Sequence, residues 1–446
     1  MIQTIFDDKQ VRSSIPLKQD VLILGVGVSG ITIAMALAGE GVHVTIIEKG
    51  INLGGSLRQL RIFHDSTEGA DIWLAGIISR IGEIENIAII SQAELCDLQG
   101  HFGSFRAKIR KADGETFEFS PAIIVAATGY ITRREATGMP AAATGIIYLP
   151  DMERLIAEAT SDGLSWNGRP VASVIFLLDA VNEDMKIDSV NILKQAIILC
   201  SRFNCQVLVL CRDLKVSFAG GERLYRKARE EGALFFKYDA PPEFFPEDGR
   251  ICVALPDDAS LNKEAPERIN IKSDVIVLPE TCLPGAETDK LCRILRTPLG
   301  KGGYFMDDNP QLLRIRSNRR GIFMVGACRF PQELMEIQRE AEATAQEIIA
   351  LLLPGIYRCG PVVAEVDARK CALCCTCPRL CPHSAIDIEK YAKRNVYQTF
   401  NNGAENMGYA ARVEPSACYG CGICVAECPA RAIILRGEAP HLHLRQ

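Results

Sequence analysis

Residues 21–48 read VLILGVGVSGITIAMALAGEGVHVTIIE. Residues 21–25 are a continuous apolar run closing on glycine, the pattern of a strand buried on both faces of a parallel sheet. Gly25, Gly27 and Gly30 follow as GxGxxG, a helical stretch runs from residue 31, and residues 42–47 give a second apolar strand that ends at Glu48. Strand, glycine turn, helix, strand and acid together form a dinucleotide fingerprint. Gly25 permits the tight turn, and Gly27 lets a pyrophosphate approach the backbone. There the free amides and dipole of a helix N-terminus favour anions. Gly30 allows close packing of helix on strand, and Glu48 is placed to accept from ribose hydroxyls. The competing reading is a glycine turn of purely structural use.

Working outward, Gly54 and Gly55 stand just beyond the acid. This pair resembles flavoproteins of the glutathione reductase type, in which the chain runs on over FAD. Residues 123–129 (IIVAATG) end in Ala127, Thr128 and Gly129, like that family's second FAD motif. Residues 321–326 (GIFMVG) resemble its late motif, which ends here at Gly326 and is followed by Ala327 where the family usually has Asp. A late motif so far along the chain implies a split flavin domain with an insert. Apolar runs at 171–178, 206–210 and 274–278, with helical stretches at 188–203 and 221–231, make that insert a second α/β unit. Its first strand is followed by Asp179, Glu183 and Asp184 in place of glycines, which opposes a second pyrophosphate. NAD(P)H binding in another way stays open. No CxxC or CxxxxC pair lies near the flavin motifs. Residues 333–353 form a strong helix pattern stopped by Pro354 and Gly355.

The C-terminal region carries two copies of C-x2-C-x2-C-x3-C-P: Cys371, Cys374, Cys377 and Cys381, then Cys418, Cys421, Cys424 and Cys428. This is the bacterial ferredoxin pattern for [4Fe–4S] clusters, in which the fourth cysteine of each run ligates the other cluster. Cys371, Cys374, Cys377 and Cys428 are therefore expected to hold one cluster, and Cys418, Cys421, Cys424 and Cys381 the second. A zinc ribbon is the alternative, but it uses CxxC pairs rather than four-cysteine runs ending in proline. Cys375 is surplus. Residues 382–417 exceed what a compact ferredoxin needs, and 395–409 are expected to form a surface loop or hairpin. His441 and His443 in the tail read as solvated.

Composition agrees with several ordinary globular domains. The chain has 446 residues, 48% hydrophobic and 24% charged, with a formal net charge of −5, which argues against nucleic acid as the main partner. Of the 18 cysteines, those outside the two runs lack paired spacing and read as buried thiols in a reducing compartment. Residues 1–19 read as an irregular lead-in without a signal peptide, and no apolar run reaches membrane-spanning length. A cytoplasmic protein is expected.

With these motifs assembled, the chain resembles the A subunit of heterodisulfide reductase and its relatives. The resemblance rests on GVGVSG with Glu48 and Gly54–Gly55, IIVAATGY, the middle segment GGERLYRKAREEGALFF, and GIFMVGACRFPQEL before the long helix and the cysteine runs. It implies an FAD-containing iron–sulfur protein that passes electrons between partner subunits. Residues 56–73 and the segment after the insert's first strand lack the cysteines that family members often carry, so an additional cluster beside the flavin is not expected. The expected fold is a glutathione-reductase-like split FAD-binding Rossmann domain (1–150 and 286–355). An inserted degenerate nucleotide-fold domain occupies 151–285, and a two-[4Fe–4S] ferredoxin-like α+β domain occupies 356–446. The expected function is electron transfer among FAD, two clusters and other redox subunits, with no side chain of this chain assigned as catalytic and a homo-oligomer open. The alternatives are a self-contained flavin oxidoreductase using NAD(P)H or a small substrate, and a scaffolding protein with a vestigial flavin site.

Overall fold

The computed structural model describes residues 13–61, 70–135, 145–159, 163–179, 186–239, 242–247, 250–256, 268–392 and 407–437. The fingerprint segment builds the centre of a five-stranded parallel sheet. Its order is Ile322–Met324, Ile123–Ala126, Asp20–Leu24, His43–Glu48, Ile87–Ser91. Residues 21–24, Ile123–Ala126 and Ile322–Met324 are apolar and buried because both faces are covered. Helix Val28–Gly39 buries Ile31, Ile33, Ala34 and Leu37 on one face. Beside it lies helix Leu334–Leu352, whose Ala341, Ala345, Ile348 and Leu352 are all inaccessible to solvent. These four recur at helical spacing, and the two alanines let the helices approach closely. An antiparallel sheet of Ala93–Gln99, Arg106–Lys111 and Thr116–Phe119 covers the other face.

The insert repeats this plan. A second five-stranded parallel sheet runs Ile146–Tyr148, Val275–Leu278, Ser173–Leu177, Gln206–Cys211, Leu234–Lys237. It packs against helix Lys186–Phe203 and a three-stranded antiparallel sheet made by Glu243–Glu247, Arg250–Pro256 and Arg268–Ser273. The inserted unit begins before residue 151, because Ile146–Tyr148 pairs with Val275–Leu278 in its sheet. A three-residue strand paired far along the chain leaves no periodic signal. The crossing between the two units is an antiparallel pair, Tyr130–Arg133 with Thr281–Pro284.

The third unit is small. Strands Val363–Val366 and Ile433–Arg436 pair, as do Ile386–Ala392 and Met407–Val413. The latter two are antiparallel neighbours within the long segment 382–417, and residues 395–406 of the expected surface loop or hairpin fall outside the described residues. The lead-in is not irregular throughout: Ser14–Pro16 forms a strand against Ile356–Arg358 in the linker. Among the described residues no helix is long and apolar enough to cross a membrane. Glu183, Asp184 and the tail histidines lie outside the described residues.

Candidate cofactor sites

Four sequence segments meet at the C-terminal ends of the first sheet. Gly25 takes a left-handed backbone (φ +108°), and a Cβ there would lie 2.6 Å from the Ala127 carbonyl oxygen. A Cβ on Gly30 would lie 2.1 Å from the Gly25 carbonyl oxygen, so glycine is what lets the helix start directly on the strand. Gly27 differs: a Cβ there would meet nothing within 4 Å. It caps helix Val28–Gly39 without any side-chain hydrogen bond, which leaves the helix N-terminus open to an anion. Gly54 donates its amide to the Val26 carbonyl at 2.8 Å, and Gly55 packs against Gly27. Gly326 closes the other side, pressed against Ser29 of the same helix. Thr128 and Gly129 continue from Ala127, and the Thr128 hydroxyl is buried with no hydrogen-bond partner among the described residues. The open space at Gly27, the uncapped helix N-terminus and the Thr128 hydroxyl fit a dinucleotide lying across this cradle.

Glu48 has a more structural position than its sequence suggests. Its two carboxylate oxygens accept the amides of Val26 (2.9 Å) and Gly50 (2.8 Å). Each oxygen keeps one lone pair for a ribose hydroxyl. Ala327 is buried, so no carboxylate stands at that position. Glu340 of the long helix instead accepts the Gly326 amide at 2.6 Å and pairs with Arg329 at 2.5 Å. Arg329 also pairs with Asp307 at 2.6 Å.

Beyond the cradle, a cavity of about 490 Å³ opens between the two nucleotide-fold units. Leu57, Gln332 and Gln338 line it on one side, and Asp188, Lys194 and Glu280 on the other. Sequence reasoning missed this face. Asp188 reads as an ordinary acid in the first turn of a helix, and Glu280 merely follows a buried strand. Asp188 is 5% exposed, and among the described residues no hydrogen-bond donor reaches it. Burial, then the charge of Glu280, pushes its carboxyl up to about 8. Burial, then Asp188 and Glu280, pushes the Cys282 thiol up to about 12. Glu280 itself is paired with Arg134 at 2.8 Å. The cavity therefore keeps a neutral acid at its wall near neutral pH. The corresponding turn of the insert is closed by Asp179, which accepts the Arg212 amide.

The eight motif cysteines fall into two groups in the third unit. Cys377 feels the charges of Cys371, Cys374 and Cys428, and these four line one small enclosed space together with Cys375. Cys424 feels those of Cys418, Cys381 and Cys421 most strongly, and these four line another. The short helices Thr376–Leu380 and Ile423–Ala426 create the crossing. Each starts after a left-handed residue, Cys375 (φ 56°) or Gly422 (φ 79°), and sends its fourth cysteine toward the other group. Cys377 and Cys424 are buried in the unit's core, whereas Cys374 and Cys421 are exposed. Backbone amides of Ala385, Gly420 and Ala432 donate to the sulfurs of Cys381, Cys418 and Cys428 at 3.3–3.4 Å. Among the described residues no three Cys, His, Asp or Glu side chains converge as one metal ion requires. The thiols ring a space rather than a point, which fits a multi-atom cluster.

This unit is fastened to the first domain beside the second group. The Asn318 side chain donates to the Pro382 carbonyl (2.5 Å), and His383 Nδ1 donates to the Asn318 carbonyl (2.7 Å). Arg320 donates to the Ser416 carbonyl (2.7 Å) and lies 4.4 Å over the Tyr419 ring, on which His383 stacks at 4.1 Å.

Residues 327–432 match the family model for a 4Fe-4S dicluster domain, and residues 23–73 match that for an NAD(P)-binding Rossmann-like domain. Over most of its length the chain resembles the A subunits of heterodisulfide reductases. The CoB--CoM heterodisulfide reductase iron-sulfur A subunit of Methanopyrus kandleri, in the second of its two forms, is 24% identical, across 83% of this chain and 70% of that protein. The corresponding A subunit of Methanocaldococcus jannaschii is 22% identical, across 84% and 71%. A protein of Archaeoglobus profundus described as like the heterodisulfide reductase A subunit is 23% identical, across 64% of this chain and 45% of that one. In fold, the chain is similar to the HOCl-induced flavoprotein disulfide reductase RclA from Escherichia coli, with a TM-score of 0.50, 13% identity, and coverage of 88% and 86%.

Proposed function

We propose that this chain, which resembles the A subunit of heterodisulfide reductase, is an FAD- and iron–sulfur-containing electron-transfer subunit of a heterodisulfide reductase-like oxidoreductase complex. Other redox subunits are its partners. The observation that carries this reading is the crossed grouping of eight thiols on the same chain as a dinucleotide cradle. Cys371, Cys374, Cys377 and Cys428 hold one [4Fe–4S] cluster, and Cys381, Cys418, Cys421 and Cys424 the other. FAD, rather than a nicotinamide, is favoured in the cradle because Gly54–Gly55, Ala127–Gly129 and Gly326 all close on it and the cavity continues from it.

FAD supplies interconversion of two-electron and one-electron transfer when bound. The chain's own residues provide placement. The amides after Gly27 receive the pyrophosphate, Glu48 orients the adenosine ribose, and Asp188 keeps a proton at the cavity wall. The amides on the cysteine sulfurs stabilise the thiolates. Acid extraction should release FAD, and anaerobically prepared protein should contain close to eight iron and eight sulfide per chain. FMN, no flavin, or zinc would sink the reading.

The cavity with its neutral acid favours one competing reading, a self-contained oxidoreductase in which NAD(P)H reaches the flavin. In the insert, a pyrophosphate would meet Asp179 and no glycine turn. Anaerobic NADH or NADPH should leave the flavin of the isolated chain oxidised, and bleaching within seconds would promote the competing reading.

A further inference from the structure

Two rulers in the fold measure how far the cradle lies from the clusters. The strands Asp20–Leu24, Ile123–Ala126 and Ile322–Met324 all run toward the cradle, reaching it at Gly25, Ala127 and Gly326. The cysteine-bearing unit is fastened at their opposite ends, where Asn318 and Arg320 precede the strand that leads to Gly326. The five residue steps from Gly321 to Gly326 span about 16 Å of extended chain. The second ruler is helix Leu334–Leu352. It begins at the cavity, which Leu334 and Gln338 line, and ends at the linker strand Ile356–Arg358. Its 19 residues measure about 28 Å at the usual helical rise. The nearer thiol group is joined to the Asn318 end through Pro382, the residue after Cys381. Electron tunnelling through protein decays exponentially with distance, and a packed sheet lies in between.

Both thiol groups look outward instead. Each has one exposed cysteine, Cys374 or Cys421. The apolar side chains beside them, Leu373, Leu380 and Ile423, are 43%, 43% and 41% exposed.

We propose that the flavin and the clusters of one molecule of this chain do not exchange electrons directly, and that the flavin's one-electron partner is an iron–sulfur centre carried by another protein molecule. This rests on the reading of FAD and two clusters given above. Two reduced clusters each lose one electron, and one flavin gains two electrons and takes two protons from solvent. The crossing occurs between molecules.

The test uses the full chain loaded with both cofactors. Its flavin, iron and sulfide content is measured first, so that failure of the cofactor reading is seen separately. A sub-stoichiometric pulse of reductant is followed by flavin and cluster absorbance over a hundredfold dilution series. The expected equilibration rate is proportional to protein concentration. Acceleration by traces of reduced bacterial-type ferredoxin assigns the partner centre to a different protein. Proportionality to the chain's own concentration alone assigns it to a second copy.

A concentration-independent phase in a sample that native mass shows to be monomeric overturns the proposal. If the sample is dimeric, a co-expressed pair decides. One member has its clusters removed (Cys371→Ala with Cys418→Ala), and the other has its cradle blocked (Gly27→Val). A phase retained in that pair supports exchange between molecules, and its loss overturns the proposal.

Discussion

Arg329 offers the sharpest energetic test of the late glycine motif. The residue is 7% exposed, and its guanidinium bridges Asp307, itself 8% exposed, and Glu340. Burial pushes the guanidinium's affinity for its proton down, but the two carboxylates outweigh this and hold it above the usual arginine range. Glu340 also holds the Gly326 amide, and Asp307 holds the Ile315 amide at 3.1 Å. Arg329→Met keeps most of the volume but leaves the buried carboxylate of Asp307 and the partly buried carboxylate of Glu340 without their shared cation. Breaking a buried ion pair on one side costs about 3–5 kcal/mol, and the loss should be local to Gly326 and Ile315. Hydrogen exchange read by mass spectrometry over peptides covering residues 313–330 is the assay. It avoids fitting a single transition to a multidomain chain. Protection there should fall by roughly two to three and a half orders of magnitude, since 1.4 kcal/mol is a factor of ten. Adding Glu340→Gln or Asp307→Asn to Arg329→Met should recover part of the loss, because the unpaired charge is then removed. A loss under a factor of ten, or no recovery in either double variant, would refute the reasoning.

Three further outcomes follow from the sites. Asp188 is held protonated by burial up to about pH 8, so the folded state keeps a proton that the unfolded chain releases near pH 4. The stability it contributes is full below about pH 4 and lost as pH rises through about 8. Asp188→Asn should flatten that slope, with an upper bound on the order of 4 kcal/mol at pH 7. Thermal unfolding followed by Trp166, which packs on the insert's core, at pH 5 and pH 8 is the check, and an unchanged slope would count against it. Cys428→Ala should remove the cluster of Cys371, Cys374 and Cys377, lowering iron toward four per chain. Electron paramagnetic resonance should then show the cluster of Cys381, Cys418, Cys421 and Cys424 intact, and damage to that one instead would contradict the crossing. Gly27→Val, entering open space, should leave the apo fold's circular dichroism and melting unchanged yet weaken FAD binding about a hundredfold, roughly 3 kcal/mol. Gly30→Val should instead damage the fold, and equal behaviour of the two variants would mean the cradle is misread.

What the sequence made legible was local. A continuous apolar run, a glycine spacing and an acid sit within one segment, and each has its cause within a few residues of itself, so the central strands and helix Val28–Gly39 could be read directly. The cysteine runs were legible for the same reason. The edge strand Ile146–Tyr148 was not, because three residues carry no period and the partner lies far along the chain. Glu48 was legible as a position but not in its bonding, since the Val26 and Gly50 amides reach it only after the turn has folded. The cavity wall was the least legible part. Asp188 and Glu280 are brought together by the tertiary arrangement of a helix and a crossover strand, and neither has a sequence neighbour that marks it. The placement of the cysteine-bearing unit at the far end of the first sheet depends on Asn318, Arg320, His383 and Tyr419, which look like ordinary surface residues in isolation.

The pairing of Ser14–Pro16 with Ile356–Arg358 also sets a schedule for biosynthesis. At translation rates of about 5–20 residues per second, the early strand waits roughly 20 to 70 s before the ribosome delivers its mate. The strand Ile322–Met324, which supplies the last side of the cradle, arrives almost as late. The insert, by contrast, is continuous from residue 146 to 278 and can fold while the sheet around the fingerprint is still missing an edge. Cofactor loading is thereby deferred to a nearly finished polypeptide, and for that interval the strand Ile123–Ala126 is an unpaired apolar border of the nascent first sheet.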